Sequence, residues 1–133
     1  MNHQELANQF NTFAYELVTK HTLIDHETTS LQNETLLRRI IFSRFYYALY
    51  HKYLAHDSVL SSSTGANKHD TIVQKIQRCN DPKLAQVFSK LKTLRVWADY
   101  SLNEVDANAL KINLITLSQD VNSILKREKH HCA

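Results

Sequence analysis

A chain of 133 residues with a single glycine, Gly65, and a single proline, Pro82, cannot make many tight turns. Sheets built from short strands reverse direction every 8–12 residues and draw on Gly, Pro, Asn and Asp to do so. The shortage of both residues excludes sandwiches and barrels and points to long helices joined by few connections. It also excludes a phosphate cradle of the GxGxxG or GxxxxGK[ST] type, because the backbone has no glycines to bring it close to a pyrophosphate.

Hydrophobic periodicity agrees. Leu6, Phe10, Phe13, Leu17 and Val18 recur at helical spacing and predict a first helix over about residues 3–20. Residues 22–30 are polar and poor in helix formers, which predicts a connection. Residues 31–56 follow, with Leu36, Leu37, Ile40, Ile41, Phe42, Phe45, Tyr46, Tyr47, Ala48, Leu49, Tyr50, Tyr53 and Leu54 on nearly every face. A helix apolar all round is central to a bundle or lies in an interface. The run Ser61-Ser62-Ser63-Thr64-Gly65 predicts a loop. Asn67 or Asp70 is placed to cap a short helix carrying Ile72, Val73 and Ile76. Asp81-Pro82 is a strong start signal for a helix over Leu84, Val87, Phe88, Leu91 and Leu94 to about Trp97. After a break at residues 101–106, a last helix is expected to carry Ala107, Leu110, Leu114, Leu117, Val121, Ile124 and Leu125, with Lys126, Arg127 and Lys129 at its negative end. The expected fold is all-α: one domain over residues 1–133, an antiparallel bundle of four long helices plus one short helix.

Charge and composition limit the function classes. With 43% apolar and 22% charged residues the chain is globular, not disordered. A net charge of +3 is compatible with nucleic acid without requiring it. The most apolar stretch, residues 40–54, contains Arg44, His51 and Lys52 and is too short to span a bilayer. The first ten residues lack the basic and apolar regions of a signal peptide. Two cysteines, Cys79 and Cys132, do not make a disulfide scaffold. These features lead us to expect a cytoplasmic protein that does not act at a membrane.

Eight histidines invite a metal site, but no pair is spaced i, i+4, so neither metal nor cofactor is expected. His130-His131-Cys132 is a terminal cluster better read as a frayed end. No serine sits in a GxSxG elbow and neither cysteine has a catalytic signature. Three constellations remain. Arg44 and His51 share a face of the second helix, seven residues apart, and both are costly to bury alone. In a purely structural role Arg44 pairs with a carboxylate such as Asp99, and His51 bonds a backbone carbonyl or sits at the rim. Arg95 and Asp99, at i, i+4, end a helix beside Tyr100. Lys68, His69 and Asp70 lie at a helix start, where backbone N–H groups favour phosphate.

Ser43-Arg44-Phe45-Tyr46-Tyr47-Ala48-Leu49-Tyr50-His51 resembles the S-R-x-Y-Y-A-x-[FY]-H helix of HEPN-domain proteins, small α-helical components of prokaryotic toxin and defence systems. Lys68-His69-Asp70 is similar to that family's start of the next helix, and Leu94-Arg95-x-x-Ala98-Asp99-Tyr100 to its L-R-x-x-A-D-Y signature. The three occur in family order and span about half the chain. The resemblance implies a helical bundle, often a homodimer, that in many members is a metal-independent ribonuclease. There an Arg is followed by four to six residues and then a His, and two such motifs meet across the dimer. Here Arg95 is followed at that distance by Tyr100, whereas Arg44 and His51 fit the spacing. The resemblance therefore implies Arg44 and His51 as catalytic residues, and Lys68, His69 and Arg95 as RNA- or phosphate-binding residues. Asp99, Tyr100 and Tyr47 become supporting residues or modification targets. RNA is the implied partner, along with a second copy or a protein partner such as a nucleotidyltransferase or another defence subunit. Two alternatives stand beside it. One is a non-catalytic assembly or regulatory subunit with Tyr46, Tyr47, Tyr50 and Tyr53 in a core or interface. The other is a nucleotide-binding module using Lys68, Arg95 and Tyr100.

Overall fold

The computed structural model describes residues 2–23, 31–55, 68–78, 81–100 and 107–126. The expected loop at residues 61–65, the breaks at 24–30 and 101–106, both cysteines and the terminal His130-His131-Cys132 lie outside the described residues. These contain six helices: α1 (His3–Leu23), α2 (Leu31–Ala55), α3 (Lys68–Gln77), α4 (Pro82–Tyr100), α5 (Ala107–Lys111) and α6 (Leu114–Leu125).

Local chemistry sets several of the helix ends. The Asn2 side chain accepts the Glu5 N–H at 2.8 Å and opens α1. Asp81 caps α4 as its sequence implies: its Oδ1 accepts the Leu84 N–H at 3.1 Å, and Pro82 fills the first helical position, where no N–H is needed. The expected last helix is two. Asn113 adopts an extended conformation, and its side chain accepts the Thr116 N–H at 3.0 Å. That bond starts α6 afresh and leaves α5 a five-residue helix. A short amide side chain competes well with the helical ladder in this way. Among the described residues the all-α bundle thus has three helices of 19 residues or more and three shorter ones packed with them.

α2 is the axis of the bundle. It packs mainly against α1 and α4, with α6 on its flank; α3 packs on α4. Ile41, Phe42, Phe45, Tyr46 and Leu49 of α2 are fully buried together with Ile72, Ile76, Phe88, Leu91, Val121 and Ile124. This arrangement explains why α2 lacks a polar face. The charges it does carry are tied down. Arg38 is buried, and its Nε donates to Glu34 at 2.7 Å while Nη1 donates to the Ala109 and Ile112 carbonyls at 3.1 and 2.8 Å. His21 of α1 meets the same Glu34 carboxylate at 2.7 Å. Burial pushes the Glu34 pKa up, but the bonds from Arg38 and His21 outweigh it, leaving the group below its ordinary value. A buried arginine is tolerated only when satisfied in this way. The network joins the end of α1, the start of α2 and the α5–α6 break.

No helix among the described residues is long and apolar enough to cross a membrane.

Candidate functional site

One stripe of α2 escapes full burial. Asn33, Leu36, Ile40, Arg44, Tyr47, His51 and Ala55 follow one another at helical spacing, and all are exposed or half-buried. Three of the sequence-derived candidates, Arg44, Tyr47 and His51, therefore share one face. α1 lies alongside and supplies His3, Leu6, Phe10 and Phe13 from its own stripe.

Phe10 organises this face. The Arg44 guanidinium carbon lies 5.6 Å from the centre of its ring, in cation–π range. The His51 ring stacks on it at 5.6 Å with 17° between planes, and Tyr47 lies 5.9 Å away. Arg44 and His51 thus both lie against one aromatic ring. The structural pairing of Arg44 with Asp99 is not found, and no carboxylate among the described residues pairs with Arg44. Asp99 instead holds Arg95, its neighbour at i, i+4, with Nε–Oδ2 2.9 Å. Helix geometry presents that partner in any case, whereas Arg44 could meet Asp99 only across the bundle. This ion pair is close in distance, but the N–H does not point along it, so Nε makes no hydrogen bond.

Arg95 is heavily engaged. Nη2 donates to the Tyr47 hydroxyl at 2.8 Å and to the Tyr100 hydroxyl at 3.3 Å, and the guanidinium lies 5.2–5.5 Å from the rings of Tyr46, Tyr47 and Tyr100. Burial works against its charge, but Tyr47, Tyr100 and Asp99 more than compensate, so the group is held cationic. Tyr50, buried nearby, has its phenol pKa pushed up, first by burial and then by Tyr47, against the opposing pull of Arg95. Tyr100 itself is 65% exposed.

His51 is half-buried, and its Nδ1 lies 2.9 Å from His3 Nδ1. Next to that pair, buried Lys52 donates to the Gln4 side chain at 3.2 Å, and burial lowers its pKa. Lys68 and His69 begin α3 in the backbone, while their side chains lie outside the described residues. The structure thus brings together Arg44, Tyr47 and His51, and through Tyr47 also Arg95, Asp99 and Tyr100.

A shallow cleft of about 210 Å³ opens beside Arg44, lined by Leu6, Gln9, Phe10, Phe13 and Arg44. It falls below the roughly 300–1,000 Å³ of sites that enclose drug-sized ligands. One planar ring or side chain suits it better than a whole nucleotide. Phe13, at its rim, is 46% exposed. No group of three or more metal-ligating side chains occurs among the described residues.

Sequence reasoning missed His3, Phe10 and Phe13 as parts of this site. All three belong to the apolar stripe of α1 in steps of three and four, so the signal was present. What it lacked was the register of α1 against α2.

A scan against protein-family models, a search of curated proteins and a search of solved structures each return no match to this chain.

Proposed function

We propose that this chain is a HEPN-type toxin or defence component that acts on RNA, a metal-independent ribonuclease whose site is completed at a homodimer interface. The observation that carries this reading is the placement of both Arg44 and His51 against the Phe10 ring, on the least-buried stripe of the central helix, with Arg44 free of a carboxylate partner among the described residues.

In this reading Arg44 binds the scissile phosphate and offsets the charge that builds on its oxygens in the transition state. His51 takes the proton of the RNA 2′-hydroxyl as that oxygen attacks phosphorus; the P–O5′ bond breaks and the departing 5′ oxygen takes a proton from water, leaving a cyclic phosphate. Phe13 and Tyr100 offer exposed rings for base stacking, which tolerates sequence. Arg95 fixes Tyr47 and adds positive potential, and Lys68 and His69 extend the phosphate path. The test is cleavage of single-stranded RNA in excess chelator. Arg44→Ala should slow it about 10²–10³-fold and His51→Ala about 10²–10⁴-fold, with both variants folded by circular dichroism.

A second reading, a non-catalytic partner subunit that pairs with a nucleotidyltransferase or similar protein, is favoured by one observation. His51 Nδ1 is already engaged by His3, and both His51 and Arg44 lie against the Phe10 ring. Folded wild-type protein without cleavage in the same assay selects this reading.

A further inference from the structure

We infer that the cleft beside Arg44 is a base-reading subsite. It takes one unpaired adenine, with Phe13 as the stacking wall, Gln9 as the reader of the base edge and Arg44 as the partner of that nucleotide's phosphate. The inference rests on the RNA reading above and adds a sequence preference to it.

Two turns of α1 and one side chain of α2 build the cleft. Leu6, Phe10 and Phe13 recur in steps of four and three, and Gln9 stands one turn before Phe13, so all four project to one side of α1. Arg44 closes the cleft from α2. The Phe10 ring is already engaged: His51 stacks on it, and the Arg44 guanidinium carbon lies 5.6 Å from its centre. Phe13 differs. It is 46% exposed, and its ring meets no other ring or cation among the described residues. A flat partner therefore gains most by lying on Phe13. A volume of about 210 Å³ admits one planar ring system and leaves ribose and phosphate at the mouth.

The polar groups of the lining narrow the choice. Neither Arg44 nor Gln9 makes a hydrogen bond or ion pair among the described residues. A guanidinium carries five donors and no acceptor, so its complement is an anion, here the phosphate of the nucleotide whose base fills the cleft. The exposed Gln9 amide offers one acceptor oxygen beside one NH₂ donor. Adenine matches both with its N6 amino group and N7. Guanine presents two acceptors, O6 and N7, on that edge, and pyrimidines have no N7. A second cleft, of about 240 Å³, runs between α1 and α6 past Tyr15, Ile115 and Ser118, but no charged side chain lines it to hold a phosphate.

The test uses the 133-residue chain and five-nucleotide strands with hydrogen in place of every 2′-hydroxyl, so that binding is read without cleavage. Every base is uracil except the central one, which is A, G, C or U. By fluorescence anisotropy, wild type should bind the A-containing strand about fivefold to tenfold more tightly than the other three. Gln9→Ala should bring that strand to the level of the others, and Phe13→Ala should weaken it about fivefold or more. The wild-type comparison decides the matter even if a variant does not fold. Equal affinity for all four strands, preference for another base, or an A preference that survives Gln9→Ala overturns the inference. So does an NMR titration in which N-acetylphenylalanine, standing for a protein segment, shifts the Phe13 ring signals and adenosine monophosphate does not. Cleavage is read separately, on the same strands with their 2′-hydroxyls restored, and should fall beside the central A. Cutting with all four strands bound equally removes the subsite and leaves the ribonuclease reading. A-selective binding without cutting removes the ribonuclease reading and leaves the subsite. If no strand binds, both fall.

Discussion

Leu49→Ala tests whether α2 is the axis of the bundle. Leu49 is 1% exposed and belongs to the continuous core with Phe45, Tyr46 and Phe88. The substitution removes three carbon groups, worth about 0.8 kcal/mol each in transfer from water, or about 2.4 kcal/mol. A residual void of about 60–100 Å³ adds roughly 1.4–2.4 kcal/mol at about 24 cal/mol per Å³. The loss should therefore be about 4–5 kcal/mol. Leu36→Ala supplies the control, because it is the same change in the same helix at a residue 57% exposed. Leucine and alanine have similar helix propensity, so the control should change stability by less than about 0.5 kcal/mol. The assay is urea unfolding followed by circular dichroism, with the midpoint shifted and the slope unchanged. A loss below about 1 kcal/mol at Leu49, or equal losses at both positions, would refute the reasoning that places α2 at the centre.

Three further predictions follow from the charged contacts. The Glu34 pKa is depressed below 4.5, so the stability Glu34 contributes is present above that value and is lost as pH falls through its lower folded pKa. Glu34→Gln should cost about 1–3 kcal/mol at neutral pH and flatten the decline of stability on the acid side, measured by thermal melts at stepped pH. Lys52 is the opposite case. Burial lowers its pKa, so the unfolded chain binds its proton more tightly and stability rises with pH toward the alkaline range. Lys52→Met should remove that rise and be neutral or stabilising by up to about 1 kcal/mol at pH 7 in the same melts. Arg39 lies 4.2 Å over the Trp97 ring and donates to the Trp97 and Ala98 carbonyls at 2.9 and 3.0 Å. Arg39→Ala should cost about 1–2 kcal/mol and shift Trp97 emission to the red; an unchanged spectrum would show that Arg39 does not cover the ring.

The legible parts of the fold were those fixed by neighbours in sequence. Asp81-Pro82 announced α4, and the all-round apolar run over residues 40–54 announced a central helix. The break at Asn113 was not legible, because its flanks, Ile112 and Leu114, continue a helical pattern. One amide side chain accepting the Thr116 N–H divides the segment. At the site, the common face of Arg44, Tyr47 and His51 followed from helical periodicity. Their partners did not, since the register of two packed helices depends on side-chain fit across the interface. That register sets Phe10 against both Arg44 and His51, and brings His3 to the His51 ring. Asp99 had two arginines within argument's reach. The one on its own helix won because that distance is set locally.

The central claim is that the α1–α2 face holding Arg44, Phe10, Tyr47 and His51 receives RNA. The most direct measurement is an NMR titration of the protein with a short oligonucleotide whose 2′-hydroxyls are replaced by hydrogen, so that it binds without being cut. Shifts concentrated at Leu6, Phe10, Phe13, Arg44, Tyr47 and His51, and absent in Arg44→Ala, are the predicted result. Shifts concentrated away from this face, around the Lys83–Asp120 ion pair of α4 and α6, or none at concentrations that saturate a basic surface, would contradict it.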